Sequence, residues 1–161
     1  MNNWRLLDNK EFTLAWDFVY EKLLFQPYEK DKKLLKPPMV SKCFDISMFY
    51  NDGFNEDLYK ELHDYMLECF QNTSNFGDRI FVLDWQHSCY SFDSRLPFEK
   101  NEFGEWLIPV FPNGDFLFFL TKDFKNGIFA DGVNLKITFW GNQFIDFLNS
   151  KDAGILSYNC E

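Results

Sequence analysis

The sequence predicts an α+β domain: a mainly antiparallel sheet of about five or six strands, flanked by two longer helices and a short C-terminal helix. Three observations carry this. Apolar residues recur at helical spacing in two stretches of the first half, near 8–24 and 55–69. β-forming runs bounded by turn residues gather in the second half, without the alternation of a βαβ unit. Aromatic residues make up 20% of the chain and include 21 phenylalanines, so the core is expected to be thick and ring-rich. At 161 residues the chain reads as one globular domain, 1–161, long enough to need no staples.

The first helix is expected over 8–24. Asp8 followed by Glu11 is a capping-box pair. Phe12, Ala15, Trp16, Val19 and Leu23 line one face. From 26 to 42 the pattern stops at Pro27, Pro37 and Pro38, and Lys30, Lys32, Lys33, Lys36 and Lys42 crowd a basic, proline-containing loop. That loop is read as a solvated connection anchored by Leu34, Leu35, Met39 and Val40, ahead of the alternative of a basic arm for an anionic ligand. A strand follows at 43–49, then a turn at Asp52-Gly53.

The second helix starts near Asn55, with Glu56 and Asp57 where the helix dipole favours acids. Phe54, Leu58, Leu62, Tyr65, Met66 and Cys69 form its apolar stripe. Beside them Asp57, Glu61, Asp64 and Glu68 form an acidic stripe at i, i+4, i+7 and i+11. His63 is expected to be an exposed or capped polar residue.

Residues 79–92 are the densest β-forming run and read as the central strand. They carry the polar cluster Asp84, Gln86 and His87 around Trp85. Strand alternation puts Asp84 and Gln86 on one face and Trp85 and His87 on the other. An Asp84–His87 pair therefore needs a bulge or turn at Gln86-His87-Ser88.

Further strands are expected at 106–111, edged or bulged at Pro109, and at 116–120, apolar on both faces and so central. Asn113-Gly114 reads as the hairpin turn between them. Ile128-Phe129 and the alternating run 135–140 come next, the latter with Lys136 and Thr138 outward. Phe144, Ile145 and Leu148 suit the terminal helix. The tail from Ser150 carries no legible chemistry.

Composition narrows the function classes. A formal charge of −9 disfavours nucleic-acid binding, which needs a Lys/Arg surface, and suits a basic protein partner or plain solubility. Cys43, Cys69, Cys89 and Cys160 show no zinc spacing and are expected to be reduced thiols in a cytoplasmic protein. No basic and apolar leader and no long apolar run are seen, so neither secretion nor a membrane span is expected. No metal set and no cofactor is expected, and the oligomeric state is open.

The segments Leu83-Asp84-Trp85-Gln86-His87 and Cys89-Tyr90-Ser91-Phe92 resemble the signature of an uncharacterised, mainly bacterial family of unknown function. Phe44-Asp45-Ile46-Ser47, the stretch 106–115 and the stretch 119–124 are similar to the same family. The resemblance runs from Trp4 to about Leu148 and implies no activity. Where such proteins are expected to show a Gly-His-Pro-Trp-like turn after Gly127, this chain reads Ala130-Asp131-Gly132-Val133-Asn134. If a two-histidine site is the family's business, half of it is absent here, which favours a role that does not depend on catalysis.

The leading expectation is a non-catalytic protein-interaction module, of immunity or inhibitor type, whose acidic helix face binds a basic partner. Its binding residues are Asp57, Glu61, Asp64 and Glu68, with Trp85 and Gln86. The alternative is a small hydrolase-like enzyme or small-molecule binder around Asp84, Gln86 and His87. Asp84 and His87 are then the catalytic residues, with Asp45 or Asp115 as a second acid, and Trp85, Tyr90 and Trp106 line the binder's site. No Gly-x-Ser-x-Gly elbow and no glycine-rich phosphate loop is present.

Overall fold

The computed structural model describes residues 3–28, 34–53, 55–97, 99–111, 114–152, 154, 156 and 160. The order is β1 (Arg5–Leu6), α1 (Asn9–Glu21), β2 (Ser41–Asp45), a 3₁₀ turn (Ser47–Tyr50), α2 (Glu56–Thr73), β3 (Ile80–Asp84), β4 (Tyr90–Phe92), β5 (Phe116–Leu120), β6 (Gly127–Asp131), β7 (Lys136–Trp140) and α3 (Asn142–Ser150). The strands form one seven-stranded sheet in the order β1-β4-β3-β5-β6-β7-β2. Every neighbouring pair is antiparallel. The α+β class stands, with more strands than expected, because two are only two and three residues long.

Helices cover both faces of the sheet. Leu62, Met66, Cys69 and Phe70 of α2, with Phe144 and Phe147 of α3, pack against Val82, Leu117, Phe119, Ile128 and Phe139. Ala15, Trp16 and Val19 of α1 pack with Leu23 and Phe25 against the opposite side chains, Phe81, Leu83, Phe116, Phe118 and Phe129. This explains why β5 is apolar at every position: both of its faces are roofed, and it lies at the middle of the sheet. β7 alternates as expected, but Lys136 and Thr138 are half-buried and not fully outward.

The capping box of α1 forms as predicted: Asp8 Oδ1 accepts from Glu11 N at 2.8 Å and Asp8 N donates to Glu11 Oε2 at 3.0 Å. Phe12, however, lies 46% exposed and not in the buried stripe. Asn55 caps α2 by accepting from Leu58 N. Phe54 and the Asn113 half of the expected hairpin turn lie outside the described residues, as does the lysine-rich centre of the 26–42 loop. Leu35 buries the end of that loop, and Gln26 N donates to Leu34 O.

Five expectations are corrected. The stretch 79–92 is not one central strand but the β3–β4 hairpin, turning at 85–89, and β5 takes the centre. The 43–49 strand is shifted: β2 ends at Asp45, whose carboxylate caps Ser47 N at 2.9 Å and starts the 3₁₀ turn.

The 106–111 strand does not form. Pro109 lacks a donor, and the flanking N–H groups bond to side chains of α2 instead of a ladder: Trp106 N to Tyr59 Oη at 3.0 Å and Val110 N to His63 Nε2 at 2.9 Å. His63 is therefore buried, only 3% exposed, and not the exposed polar residue expected.

The fifth correction concerns the thiols. Cys43 and Cys160 form a disulfide with a Cα–Cα distance of 5.3 Å, and Cys160 N also donates to Cys43 O. A separation of 117 residues hides this pair in the sequence. Cys69 and Cys89 are free and buried, as soft core residues. Reduced thiols followed from the cytoplasmic expectation as a default, and the bonded pair departs from that default. Among the described residues no helix is long and apolar enough to cross a membrane.

Candidate functional site

β3 ends at Asp84, and its alternation ends with it. The bend over Trp85, Gln86 and His87 brings the imidazole back over the strand end, so the turn required for an Asp84–His87 contact is present. Two ladder contacts fix its base: Asp84 pairs with Leu117 across the sheet, and Trp85 N donates to Phe116 O at 3.1 Å. That register places Asp115, just ahead of β5, beside the turn.

His87 Nδ1 lies 3.0 Å from Asp84 Oδ1 and 3.1 Å from Asp115 Oδ2. Asp84 Oδ1 also accepts from Gln86 N at 3.1 Å, and Asp115 Oδ1 accepts from Phe116 N at 2.7 Å. The carboxylates are mostly sheltered, with side chains 14% and 13% exposed, while the imidazole is 69% exposed.

Proton affinities shift accordingly. Burial raises Asp115 above the usual carboxylate range, and its contact with Asp84 adds to this. Burial works the same way on Asp84 but is outweighed by bonds from Asp115, His87 and Gln86, which hold it below that range. The pair therefore takes its first negative charge on Asp84. His87 is raised by its hydrogen bond and charge contact with Asp84, then by Asp115.

The second candidate surface is the outer face of α2. Asp57, Glu61 and Asp64 are exposed and Glu68 is half-buried. With Lys60, Tyr65, Lys151 and Asp152 they line an open cleft of about 400 Å³. Lys60 pairs with Asp64, and Lys151, at the end of α3, pairs with Glu68. Asp57 and Glu61 make no ion pair among the described residues. Tyr65 floors the cleft and donates to Lys151 O at 3.0 Å.

Residues 6–145 match a family described as "Protein of unknown function (DUF2716)". The chain belongs to that family. It is also 34% identical over 163 residues to the uncharacterized protein YxiI of Bacillus subtilis (strain 168), with 99% of each chain covered. No solved structure matches it. Membership of DUF2716 supports the resemblance to an uncharacterised bacterial family and brings no reaction with it.

The site residues read from the sequence of this DUF2716 protein fall into three groups. Asp84 and His87 come together, with Asp115 as the second acid; Asp45 is on β2, the far edge strand, and plays no part in the cluster. Asp57, Glu61, Asp64 and Glu68 share the α2 cleft. Trp85 and Gln86 divide. Gln86 is exposed, whereas Trp85 packs on Phe25, Tyr28 and Phe116 and donates to Tyr20 Oη at 3.2 Å, joining α1 to the sheet.

Trp85, Tyr90 and Trp106 do not line one site. Trp85 packs with the α1 layer, while Tyr90 and Trp106 belong with the α2 layer. Sequence reasoning gave no weight to Asp152 and Lys151, whose only signal is their place after the last apolar residue of α3.

Proposed function

We propose that the protein is a non-catalytic interaction module, of inhibitor or immunity type, that docks a basic protein partner on the outer face of α2. The observation that carries the reading is the cleft itself, where five carboxylates face two ammonium groups on a chain of net charge −9. Such a field steers a basic partner and speeds association. Because Asp64 and Glu68 already hold lysines, Asp57 and Glu61 are the carboxylates left to meet the partner's cations.

The test is capture of basic partners from native lysate, and of products of neighbouring genes, with the full chain as bait. Binding is expected to weaken with salt and to be lost when Asp57, Glu61, Asp64 and Glu68 are all changed to Lys. The double change Asp57→Lys and Glu61→Lys carries most of that loss. Capture unaffected by the fourfold change sinks this face.

A second reading, a small hydrolase-like enzyme or small-molecule binder at Asp84, Gln86 and His87, is favoured by the convergence of Asp84, His87 and Asp115. It predicts turnover of simple ester or phosphoester substrates that disappears in Asp84→Asn. A wild-type protein that turns over none of them removes its hydrolase form.

A further inference from the structure

The convergence of Asp84, His87 and Asp115 also has a consequence that does not depend on hydrolysis. Three electron-pair donors of two chemical kinds converge on one point. Nδ1 of His87 carries at most one proton, yet two carboxylate oxygens lie 3.0 and 3.1 Å from it. A single N–H satisfies one of them well. A cation seated among the three serves all at once. Metal–ligand bonds of about 2.0–2.2 Å hold neighbouring donors roughly 3 Å apart, which is the spacing found. All three donor atoms fall within 4.8 Å of one another.

The cluster is also held rigidly. Asp84 closes a ladder rung with Leu117. Asp115 is pinned through its carbonyl, which accepts from Gly132 N at 2.9 Å. A Cβ at Gly132 would lie 2.5 Å from Asp115 N and O, so glycine is what lets the 131–132 turn close on the acid. The exposed imidazole leaves an open side for entry and for water ligands.

We propose that Asp84, His87 and Asp115 bind a divalent transition-metal cation through one oxygen of each carboxylate and Nδ1 of His87. Two oxygens and one imidazole nitrogen suit a first-row ion such as manganese, iron or zinc better than calcium. Binding displaces the Nδ1 proton. The site stands whether or not it hydrolyses anything, and it is separate from the α2 cleft.

The experiment titrates chelator-treated, full-length protein with Mn²⁺, following free ion by electron paramagnetic resonance. Manganese is chosen because thiols such as Cys69 and Cys89 bind it weakly. One ion per chain is expected. Affinity should fall by at least about tenfold in His87→Ala and in Asp115→Asn, as loss of a ligand costs no less than loss of its supporting contacts. The fourfold α2 lysine variant should bind Mn²⁺ as the unaltered chain does.

Circular dichroism confirms folding of each variant, and the exposed His87 makes His87→Ala the safer one. Absence of saturable binding overturns the proposal. So does binding that survives both changes, or binding that disappears with the α2 variant. Partner capture that survives the fourfold α2 change, with metal binding intact, sinks only the docking reading.

Discussion

His63 commits both ring nitrogens. Nδ1 lies 2.8 Å from Tyr59 O and therefore carries the proton, leaving Nε2 to accept from Val110 N. The ring is neutral by construction, and a second proton would have to displace the Val110 bond. Burial is the main reason its pKa falls from 6.5 to about 4; Lys100 pushes the same way, while the Tyr59 carbonyl and Asp64 oppose it. The unfolded chain thus takes up a proton that the folded chain refuses. The contribution is fully present above pH 6.5 and is lost as pH falls toward 4, amounting to about 3 kcal/mol. Urea midpoints across this range should show the decline. His63→Leu should flatten it while costing about 1–3 kcal/mol at neutral pH, because Val110 N loses its acceptor.

At the scale of elements, the ring of Trp140 on β7 lies across Gly127, its partner on β6. A Cβ on Gly127 would lie 2.2 Å from Cζ2 of Trp140, a fully buried ring with no room to retreat. Gly127→Ala is expected to destabilise the protein by about 1–3 kcal/mol, read as a lowered denaturation midpoint.

Elements of this kind were legible to different degrees. α1 could be read because its signals are local: Asp8 and Glu11 cap it, and its apolar residues repeat every turn. β5 could be read because five apolar residues in a row have to be roofed on both faces. The 106–111 segment has a strand's pattern but forms none, because its donors are satisfied by Tyr59 and His63, which lie on a different element and leave no trace in local spacing. The alternation that sets Asp84 and His87 on opposite faces holds only while a strand continues, and β3 stops at Asp84. Asp115 joined the cluster through sheet register, which one chain's pattern does not state.

At the scale of the whole molecule, the disulfide joins β2 to the chain beyond α3 and closes a loop of 117 residues. Tying so long a loop restricts the unfolded ensemble, and cutting it is expected to lower stability by about 2–5 kcal/mol. Denaturation with and without reductant measures this, and Cys160→Ser should already sit at the reduced value. The same change should leave Mn²⁺ binding intact, since the Asp84 cluster lies at β3 and β5, on the other side of β6 and β7 from β2.

The backbone bond from Cys160 N to Cys43 O has a further consequence. β2 is the last strand of its sheet, and an open strand offers its unpaired amides and carbonyls to any other chain. The residue that closes the covalent loop also occupies one of those carbonyls. At the opposite rim β1 is only two residues long, too short a template for a stranger. Reduction therefore does more than loosen the fold: it frees that carbonyl on β2, the longer of the two edge strands, and concentrated reduced protein should begin to self-associate, visible as rising light scattering, before it unfolds.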